Sequence, residues 1–307
     1  MLTDAQKAKL AAHAKNNAMP GFSSRPLVNG MVLLVDGDYA AYYCAGNDET
    51  SERQAWENFI NMIQQAKEQC GAEYIRVHLS SSGCNKGHRY RVSMSPTSKL
   101  YQAQRSAGRK PKNWAYLRER METYEGDIFQ AVHWMDREAD DGMALASVSA
   151  LKKGRMDCVL TADKDMRMFG GLHMVWKTKA LVEVPLNAYD IVAHGKQYGH
   201  KWFWMQMLQG DQADNILGLP RVGEVAATKA LDGTTNNAEA LRIVLDMYRS
   251  KMGDAYADHF VEQAALLWMR VDPAARVDDF RDMPDVVWGP DTRRAMERML
   301  KRVHDAR

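Results

Sequence analysis

The stretch MVLLVDGD, residues 31–38, decides the fold class of this chain. Its first five residues are apolar, which predicts a buried strand, and Asp36 and Asp38 follow that strand. Four more short apolar or β-branched runs are predicted strands, at residues 74–79, 127–134, 158–162 and 173–178. Helical patterns over residues 52–70 and 138–152 lie between these runs. Buried strands that alternate with helices form a parallel sheet covered on both faces, so the sequence predicts an α/β fold.

The last third of the chain has a different pattern. After about residue 186 no further strand is predicted. Five segments look helical, at residues 187–199, 201–209, 224–231, 238–251 and 254–269. The sequence therefore predicts an α/β part followed by a helical part.

The composition excludes several classes of protein. Hydrophobic residues make up 46% and charged residues 26% of the 307 residues, which is typical of a globular protein and not of a disordered one. The longest aliphatic run is far too short to cross a membrane, and residues 1–19 are too polar for a signal peptide, so we expect a cytosolic protein. The four cysteines form no C-x-x-C pair, which indicates reduced thiols and argues against a cysteine metal site.

Positive charge is concentrated in one segment, residues 86–120, which we call the basic island. It contains ten lysines and arginines and one acid, Glu119, although the net charge of the whole chain is only +2. Tyr90, Tyr101, Trp114 and Tyr116 are interleaved with the cations. Cations mixed with aromatic rings suit a phosphate backbone with unstacked bases. Charge alone leaves a solvated basic face equally open.

Carboxylates follow three of the predicted strands. Asp36 and Asp38 follow the first, the sequence EADD at residues 138–141 follows the third, and Asp163 and Asp165 follow the fourth. Ligands of open α/β sheets bind outside the carboxyl ends of the strands, so these acids are predicted to converge there. Any one cluster alone is also explained by helix capping or turn chemistry. Together, the carboxylates would repel one another strongly, which predicts hard, oxygen-seeking ions such as Mg²⁺ or Mn²⁺.

One chemistry that uses acids in this way is phosphate-ester hydrolysis by a haloacid-dehalogenase-type phosphatase. The pair Asp36 and Asp38 resembles the nucleophile and acid of that class, and GDQAD at residues 210–214 loosely resembles its later acidic motif. In that class, however, the Gly-Asp pair follows a strand, whereas here it follows the helical pattern of residues 201–209. The phosphatase is therefore the weaker alternative.

A second resemblance involves four motifs that occur in order along the chain. They are VDGD (35–38), EADD (138–141), TADKD (161–165) and GDQADNILGLPRVG (210–223). This ordered set resembles the 5′-nuclease, or flap endonuclease, superfamily, and the length and layout are closest to its bacteriophage 5′-to-3′ exonuclease branch. The resemblance implies a PIN-like nuclease core over residues 1–196 with a basic arch at about 82–125. It also implies a helical DNA-binding part over residues 197–307, with a helix–hairpin–helix at about 202–232.

The same resemblance implies two metal sites that hydrolyse a phosphodiester bond together. Asp36, Glu138, Asp140 and Asp141 would serve one Mg²⁺ or Mn²⁺ ion, and Asp163, Asp165, Asp211 and Asp214 would serve the other. Asp38 would support these ligands without binding an ion. A K⁺ ion at the helix–hairpin–helix is a further implied ligand.

Contacts to DNA are predicted from the basic island and from the turn GLPRVG at residues 218–223. The predicted DNA-binding residues are Tyr42, Arg89, Arg91, Lys99, Tyr101, Arg105, Arg109, Lys110, Lys112, Gly218, Arg221 and Gly223. Glycine lets the turn approach phosphates closely, and backbone amides can bind them. The turn by itself is equally well explained as a plain connector between helices.

Two departures from the family pattern bear on activity. The family has an aspartate after the second strand, where this chain has the serines 80–82, with Ser81 in the middle, and it has a lysine in the arch where this chain has Gln102. Nearby Lys99, Arg105 or Lys110 are candidates to replace that lost cation. We expect a Mg²⁺-dependent nuclease, monomeric and in the cytoplasm of a bacterial host, that acts on DNA with a free 5′ end, flap or overhang. A DNA-binding relative with weakened catalysis is the alternative.

Overall fold

The computed structural model describes residues 25–93, 99–104 and 108–306. Arg105, one of the predicted DNA contacts, lies outside the described residues. So do residues 1–19, the segment that is too polar for a signal peptide. Most of the basic island is described.

A six-stranded sheet forms the centre of the molecule, in the strand order β3-β2-β1-β4-β5-β6. The strands are β1 (Val28–Asp36), β2 (Ala72–Ser80), β3 (Gln130–Trp134), β4 (Cys158–Thr161), β5 (Gly171–Val175), β6 (Leu181–Val184), β7 (Ile191–Ala193) and β8 (Lys196–Tyr198). The first five strands are parallel and β6 is antiparallel to β5. The predicted α/β fold with a parallel sheet is therefore confirmed.

Ten α-helices surround the sheet or follow it within the described part of the chain. They are α1 (Gly37–Cys44), α2 (Glu52–Cys70), α3 (Arg89–Val92), α4 (Trp114–Glu122), α5 (Ala139–Lys152), α6 (His200–Gln209), α7 (Glu224–Ala230), α8 (Asn237–Met252), α9 (Tyr256–Leu267) and α10 (Pro290–Asp305). Helix α2 has the predicted bounds because Ser51 caps its first turn and Gly71, with φ of +76°, ends it. None of the described helices is long and apolar enough to cross a membrane.

The apolar run in β1 supplies both faces of the sheet. Leu33 and Val35 point to a core that they share with α2 and α4, and Val32 and Leu34 point to a second core that includes α5, α6, α8, α9 and α10. Successive residues of a strand face opposite sides, so five apolar residues in a row fill both cores. This double burial fixes the end of β1, and with it Asp36, in the middle of the sheet.

One prediction for the region after residue 186 is wrong. Residues 187–199 were predicted to be helical, but Ile191–Ala193 and Lys196–Tyr198 form an antiparallel hairpin, β7 and β8. The two residues between these strands, His194 and Gly195, both have left-handed backbone angles, with φ of +49° and +68°. A two-residue turn of that kind matches the twist of a hairpin, and the β-branched pair Ile191 and Val192 favours a strand.

Candidate metal centre

A cavity of roughly 560 Å³ opens at the carboxyl ends of β1, β2 and β4. Its charged and aromatic lining consists of Asp36, Asp38, Tyr39, Tyr42, Glu138, Asp140, Asp163, Lys164, Arg167, Asp211 and Asp214. The three acidic motifs that were predicted to converge thus reach one cavity, together with acids from the segment after α6. Ser80 at the end of β2 completes the wall between them.

The first acidic cluster begins helix α5. One carboxylate oxygen each from Glu138, Asp140 and Asp141 lie within 4.8 Å of one another. Glu138 caps the helix and Asp141 accepts from the Glu138 amide in return, so a capping box fixes the turn. Burial, together with repulsion from Asp141 and Glu138, holds the pKa of Asp140 well above its usual range. A carboxylate in this environment is stabilised by a cation.

Asp141 is fully buried and does not line the cavity, unlike Glu138 and Asp140. Arg89 donates to both of its oxygens at 2.7 Å, and the backbone amide of Arg270 donates to it at 2.8 Å. Burial opposes ionisation of Asp141, but the Arg89 guanidinium outweighs it and lowers the pKa of this carboxyl. Both oxygens of Asp141 therefore already have cationic or amide partners.

The second acidic cluster combines two parts of the chain. Asp165, Asp211 and Asp214 each contribute one carboxylate oxygen, and these three oxygens lie within 4.8 Å of one another. Burial and repulsion from Asp163 and Asp211 raise the pKa of Asp165, whose Oδ1 accepts from Gln206 at 2.6 Å. The Nζ of Lys164 lies 2.6 Å from Asp211 Oδ1, so a lysine already neutralises part of this cluster.

Asp36 lies between the two clusters at the end of β1. It caps helix α1 by accepting from the Tyr39 amide at 2.9 Å, and its second oxygen accepts from Thr161 Oγ1 at 2.8 Å. Burial, with added repulsion from Asp38, raises the pKa of Asp36 to about 7. Asp38 itself pairs with Arg118 and accepts from the Ser80 amide, so it braces the end of β2.

The two positions that depart from the family pattern both have defined contacts. Among the three serines, Ser80 lines the cavity, and its hydroxyl accepts from the Ala139 amide at 2.9 Å. Gln102 is buried, with a left-handed φ of +55°. Its Nε2 donates to Glu138 Oε1 at 3.2 Å, and its Oε1 accepts from Lys86 Nζ at 2.6 Å. The ammonium group of Lys86 therefore lies beside Gln102, where the family has the ammonium group of a lysine at the position of Gln102 itself.

Tyr101, the neighbour of Gln102, connects the two clusters. Its hydroxyl lies 2.8 Å from Glu138 Oε2 and 3.3 Å from Asp214 Oδ2. The hydroxyl of Tyr101 is thus directed at the acids, and its contact to DNA stays a prediction. Tyr42, in contrast, is exposed at the cavity wall, next to Trp114 at a centroid distance of 5.7 Å.

The remaining predicted DNA contacts divide into buried and accessible residues. Arg89 is buried, and besides Asp141 it donates to the carbonyls of Leu266 and Trp268 near the end of α9. Gly218 is also buried, and its amide donates to Gln263 Oε1. Arg91 is half-buried. The exposed members are Lys99, Arg109, Lys110, Lys112, Arg221 and Gly223.

Sequence reasoning missed four side chains at or beside the cavity. Tyr39, Lys164 and Arg167 line it, and Lys86 reaches its edge through Gln102. A signal for Lys164 was present, since TADKD places this lysine between the two acids that were selected. Nothing in the local sequence connects Lys86 with Gln102, because sixteen positions separate them along the chain.

Comparisons with known proteins were made by sequence and by structure. No family model matches the chain. It is 26% identical over 215 residues to the thermostable DNA polymerase I of Thermus thermophilus and 26% identical over 267 residues to that of Thermus aquaticus. These matches cover 66% and 81% of this chain but only 24% and 30% of the polymerases. The chain therefore spans less than a third of the length of these curated relatives.

Two solved structures from bacteriophage T5 resemble the whole fold. One is a pseudo-enzyme–product complex of the T5 flap endonuclease with DNA and metal ions, at a TM-score of 0.56 and 15% identity, covering 89% of this chain and 99% of that one. The other is the T5 5′-exonuclease with divalent metal ions (zinc) bound, at a TM-score of 0.54 and 15% identity, covering 91% and 100%. The chain thus has the PIN-like fold of these proteins. This fold is the one that the ordered motifs led us to expect.

Proposed function

We propose that this chain is a divalent-metal-dependent 5′ nuclease that hydrolyses phosphodiester bonds of DNA. The observation that carries the proposal is the convergence of two carboxylate clusters, each within 4.8 Å, at the carboxyl edge of the sheet. The names of the structural neighbours, a flap endonuclease and a 5′-exonuclease, support the same class of function. So does the weak sequence similarity to DNA polymerase I.

The donor set fits two hard cations such as Mg²⁺ or Mn²⁺, because it is made of carboxylate oxygens. Asp36, Glu138 and Asp140 would hold one ion. Asp163, Asp165, Asp211 and Asp214 would hold the other. When bound, two such ions activate the attacking water and stabilise the leaving oxygen of the displaced phosphate ester. Asp141 was predicted as a ligand too, but its bonds to Arg89 and Arg270 favour a supporting role.

Three positively charged side chains at or near the cavity would bind phosphate groups of the DNA backbone. Lys164 and Arg167 line the cavity, so a phosphate that approaches the carboxylates meets both of them. Lys86 adds a positive charge at the side of Glu138, where its Nζ lies 3.7 Å from Oε1. These three residues would reduce the repulsion between the acids and the DNA backbone and stabilise the negative charge of the phosphate.

The DNA we expect is one with a free 5′ end, flap or overhang. Tyr42 beside the cavity can stack on the terminal base, and Lys110, which covers the Trp114 ring at 3.4 Å, extends that surface. Lys99, Arg109 and Lys112 would contact the strand that leads to it. The exposed turn with Arg221 and Gly223 would contact the duplex through a helix–hairpin–helix made of α6 and α7, with K⁺ as a further ligand of the turn.

Two other functions have specific motivations. The replacement of an acid by one of the serines 80–82, and of a lysine by Gln102, motivates a DNA-binding protein with weakened catalysis. The retained acids disfavour it. A haloacid-dehalogenase-type phosphatase is disfavoured because Asp38 pairs with Arg118. In addition, Gly210 and Asp211 follow helix α6 and not a strand.

The test is cleavage of a 5′-labelled duplex with a short 5′ overhang, in Mg²⁺ or in EDTA. We expect short labelled products in Mg²⁺ only, and a loss of more than about a hundredfold in Asp163→Asn. Asp246→Asn, which removes an exposed acid from the remote helix α8, is the matched control and should cleave normally. Tight binding without cleavage in both Mg²⁺ and Mn²⁺ would instead establish a DNA-binding relative.

A further inference from the structure

Helix α1 carries three exposed tyrosines, and two of them, Tyr39 and Tyr42, line the cavity. Tyr39, Tyr42 and Tyr43 are 38%, 43% and 57% exposed. Tyr39 and Tyr43 are one turn apart and both contact Trp176, whereas Tyr42 contacts Trp114. The helix therefore has two aromatic surfaces, and the proposed nuclease function assigns a role only to Tyr42.

The second surface consists of Tyr39 and Tyr43 with Trp176 behind them. The two tyrosine rings are stacked, at a centroid distance of 6.4 Å and an interplanar angle of 27°. Trp176 is buried and meets both rings edge-on, at 4.8 Å and 5.1 Å. This edge-to-face packing holds the tyrosines in place and leaves much of each ring in contact with water. The surface is thus rigid and preformed.

Positive charge lies next to these rings. Trp176 begins the turn between β5 and β6, and the next residue, Lys177, is exposed. Lys179 in the same turn covers the Trp176 ring, with its Nζ 4.9 Å from the ring centroid. Tyr39 also lines the cavity, so the surface is continuous with the carboxylates and with Lys164 and Arg167.

We propose that Tyr39 and Tyr43, backed by Trp176, form a second base-stacking surface for unpaired nucleotides of the DNA substrate. The proposal rests on the proposed nuclease function, since the cavity that adjoins the surface would hold the reacting phosphate. Exposed rings beside lysines suit single-stranded nucleic acid because every base has a face that stacks, while lysines attract the backbone. An apolar protein partner would not need the flanking cations.

The experiment measures binding of fluorescein-labelled duplexes by fluorescence anisotropy. Three duplexes are compared, one blunt, one with a 5′ thymidine extension and one with a 3′ thymidine extension, all in Ca²⁺ with gel controls for cleavage. The variants are the double substitutions Tyr39→Ala with Tyr43→Ala and Tyr39→Phe with Tyr43→Phe. Tyr74→Ala is the matched control, because Tyr74 is an equally exposed tyrosine at the opposite end of β2. Tyr43→Ala alone repeats the test if the double alanine variant is unstable.

The proposal predicts a loss of about tenfold in affinity for one of the extended duplexes in the alanine variant. The alanine variant should bind the blunt duplex with wild-type affinity. The phenylalanine variant and Tyr74→Ala should bind all three duplexes with wild-type affinity. Equal affinities of the alanine variant and the wild type, or an equal loss on blunt and extended duplexes, would overturn it. Cleavage by the wild-type protein is scored separately. Tyrosine-dependent binding without cleavage refutes the nuclease, and cleavage without tyrosine-dependent binding refutes the stacking surface.

Discussion

Adjacent residues of the EADD motif have opposite environments. Asp140 lines the cavity, and its pKa is raised by burial and by the other acids. Asp141 is fully buried in the interior, and the Arg89 guanidinium outweighs that burial and lowers its pKa. The local sequence cannot distinguish these two roles, because Arg89 lies 52 positions away along the chain.

This difference predicts opposite effects of two neighbouring substitutions on the metal-free protein. Asp141→Asn removes both of the 2.7 Å bonds that Arg89 makes to a carboxylate and leaves its buried charge with only the more distant Glu138, so we expect a loss of about 3 kcal/mol in the free energy of unfolding. Asp140→Asn removes repulsion, so stability in EDTA should stay equal or rise while cleavage is lost. Urea unfolding of both variants in EDTA checks this. Equal destabilisation by the two substitutions would contradict the assignment of Asp141 to the interior.

A second prediction concerns the cation beside Gln102. Lys86→Gln should lower the cleavage rate by about tenfold or more, because it removes a positive charge next to Glu138. Adding Gln102→Lys to that variant should restore much of the rate, since it returns a lysine to the same place. Single-turnover cleavage of the 5′-overhang duplex measures both. A wild-type rate in Lys86→Gln would show that this lysine has no part in the reaction.

At the scale of elements, Gly218 shapes the connection between α6 and α7. Gly218 has a φ of +62°, and a Cβ there would overlap backbone atoms of Gln209 and Gly210. The close approach allows the Leu219 amide to donate to the Leu208 carbonyl, which ties the connection back onto α6. Gly223, in contrast, has an extended backbone and open space around it. The first glycine is required by the fold and the second is not.

Substitutions of these two glycines should therefore differ. We expect Gly218→Ala to lower the free energy of unfolding by about 3 kcal/mol, because alanine combines a strained backbone with overlap. Gly223→Ala should cost less than about 1 kcal/mol. Thermal and urea unfolding give both values. Similar costs for the two variants would mean that the connection does not pack as closely as this arrangement requires.

The elements that sequence predicted well are those with a strong local pattern. The apolar run of β1 and the capped helix α2 carry their own signals, and both occur with the expected cores. The hairpin of β7 and β8 was missed because its strands are only three residues long, and its turn is marked by the unusual pair His194 and Gly195. Arg89 was predicted to contact DNA because charge alone cannot reveal that the end of α9 supplies its partners.

At the scale of the whole molecule, the fold gathers charges that oppose its own stability. The parallel sheet brings the acids to one edge, and Arg89 and Lys164 pair with two of them. Asp36, with a pKa raised to about 7 against an unfolded value of about 3.9, favours the folded state when protonated. Its ionisation therefore removes stability as pH rises from about 4 to about 7. His173, whose pKa burial lowers to about 4, acts in the opposite direction below about 6.5.

These opposing terms predict how metal and pH act together. Above pH 6.5 the protonation of His173 no longer changes stability much. The metal-free protein should therefore lose stability as Asp36 completes its ionisation near pH 7 and as Asp140 and Asp165, whose pKa values are also raised, ionise. Mg²⁺ at about a hundred times its dissociation constant should add about 2.7 kcal/mol at pH 8 and less at pH 6, because protons compete for the same carboxylates. Urea unfolding with Mg²⁺ or EDTA at both pH values measures this. The decline in EDTA should be smaller in Asp36→Asn, and an equal effect of Mg²⁺ at both pH values would refute metal binding by these acids.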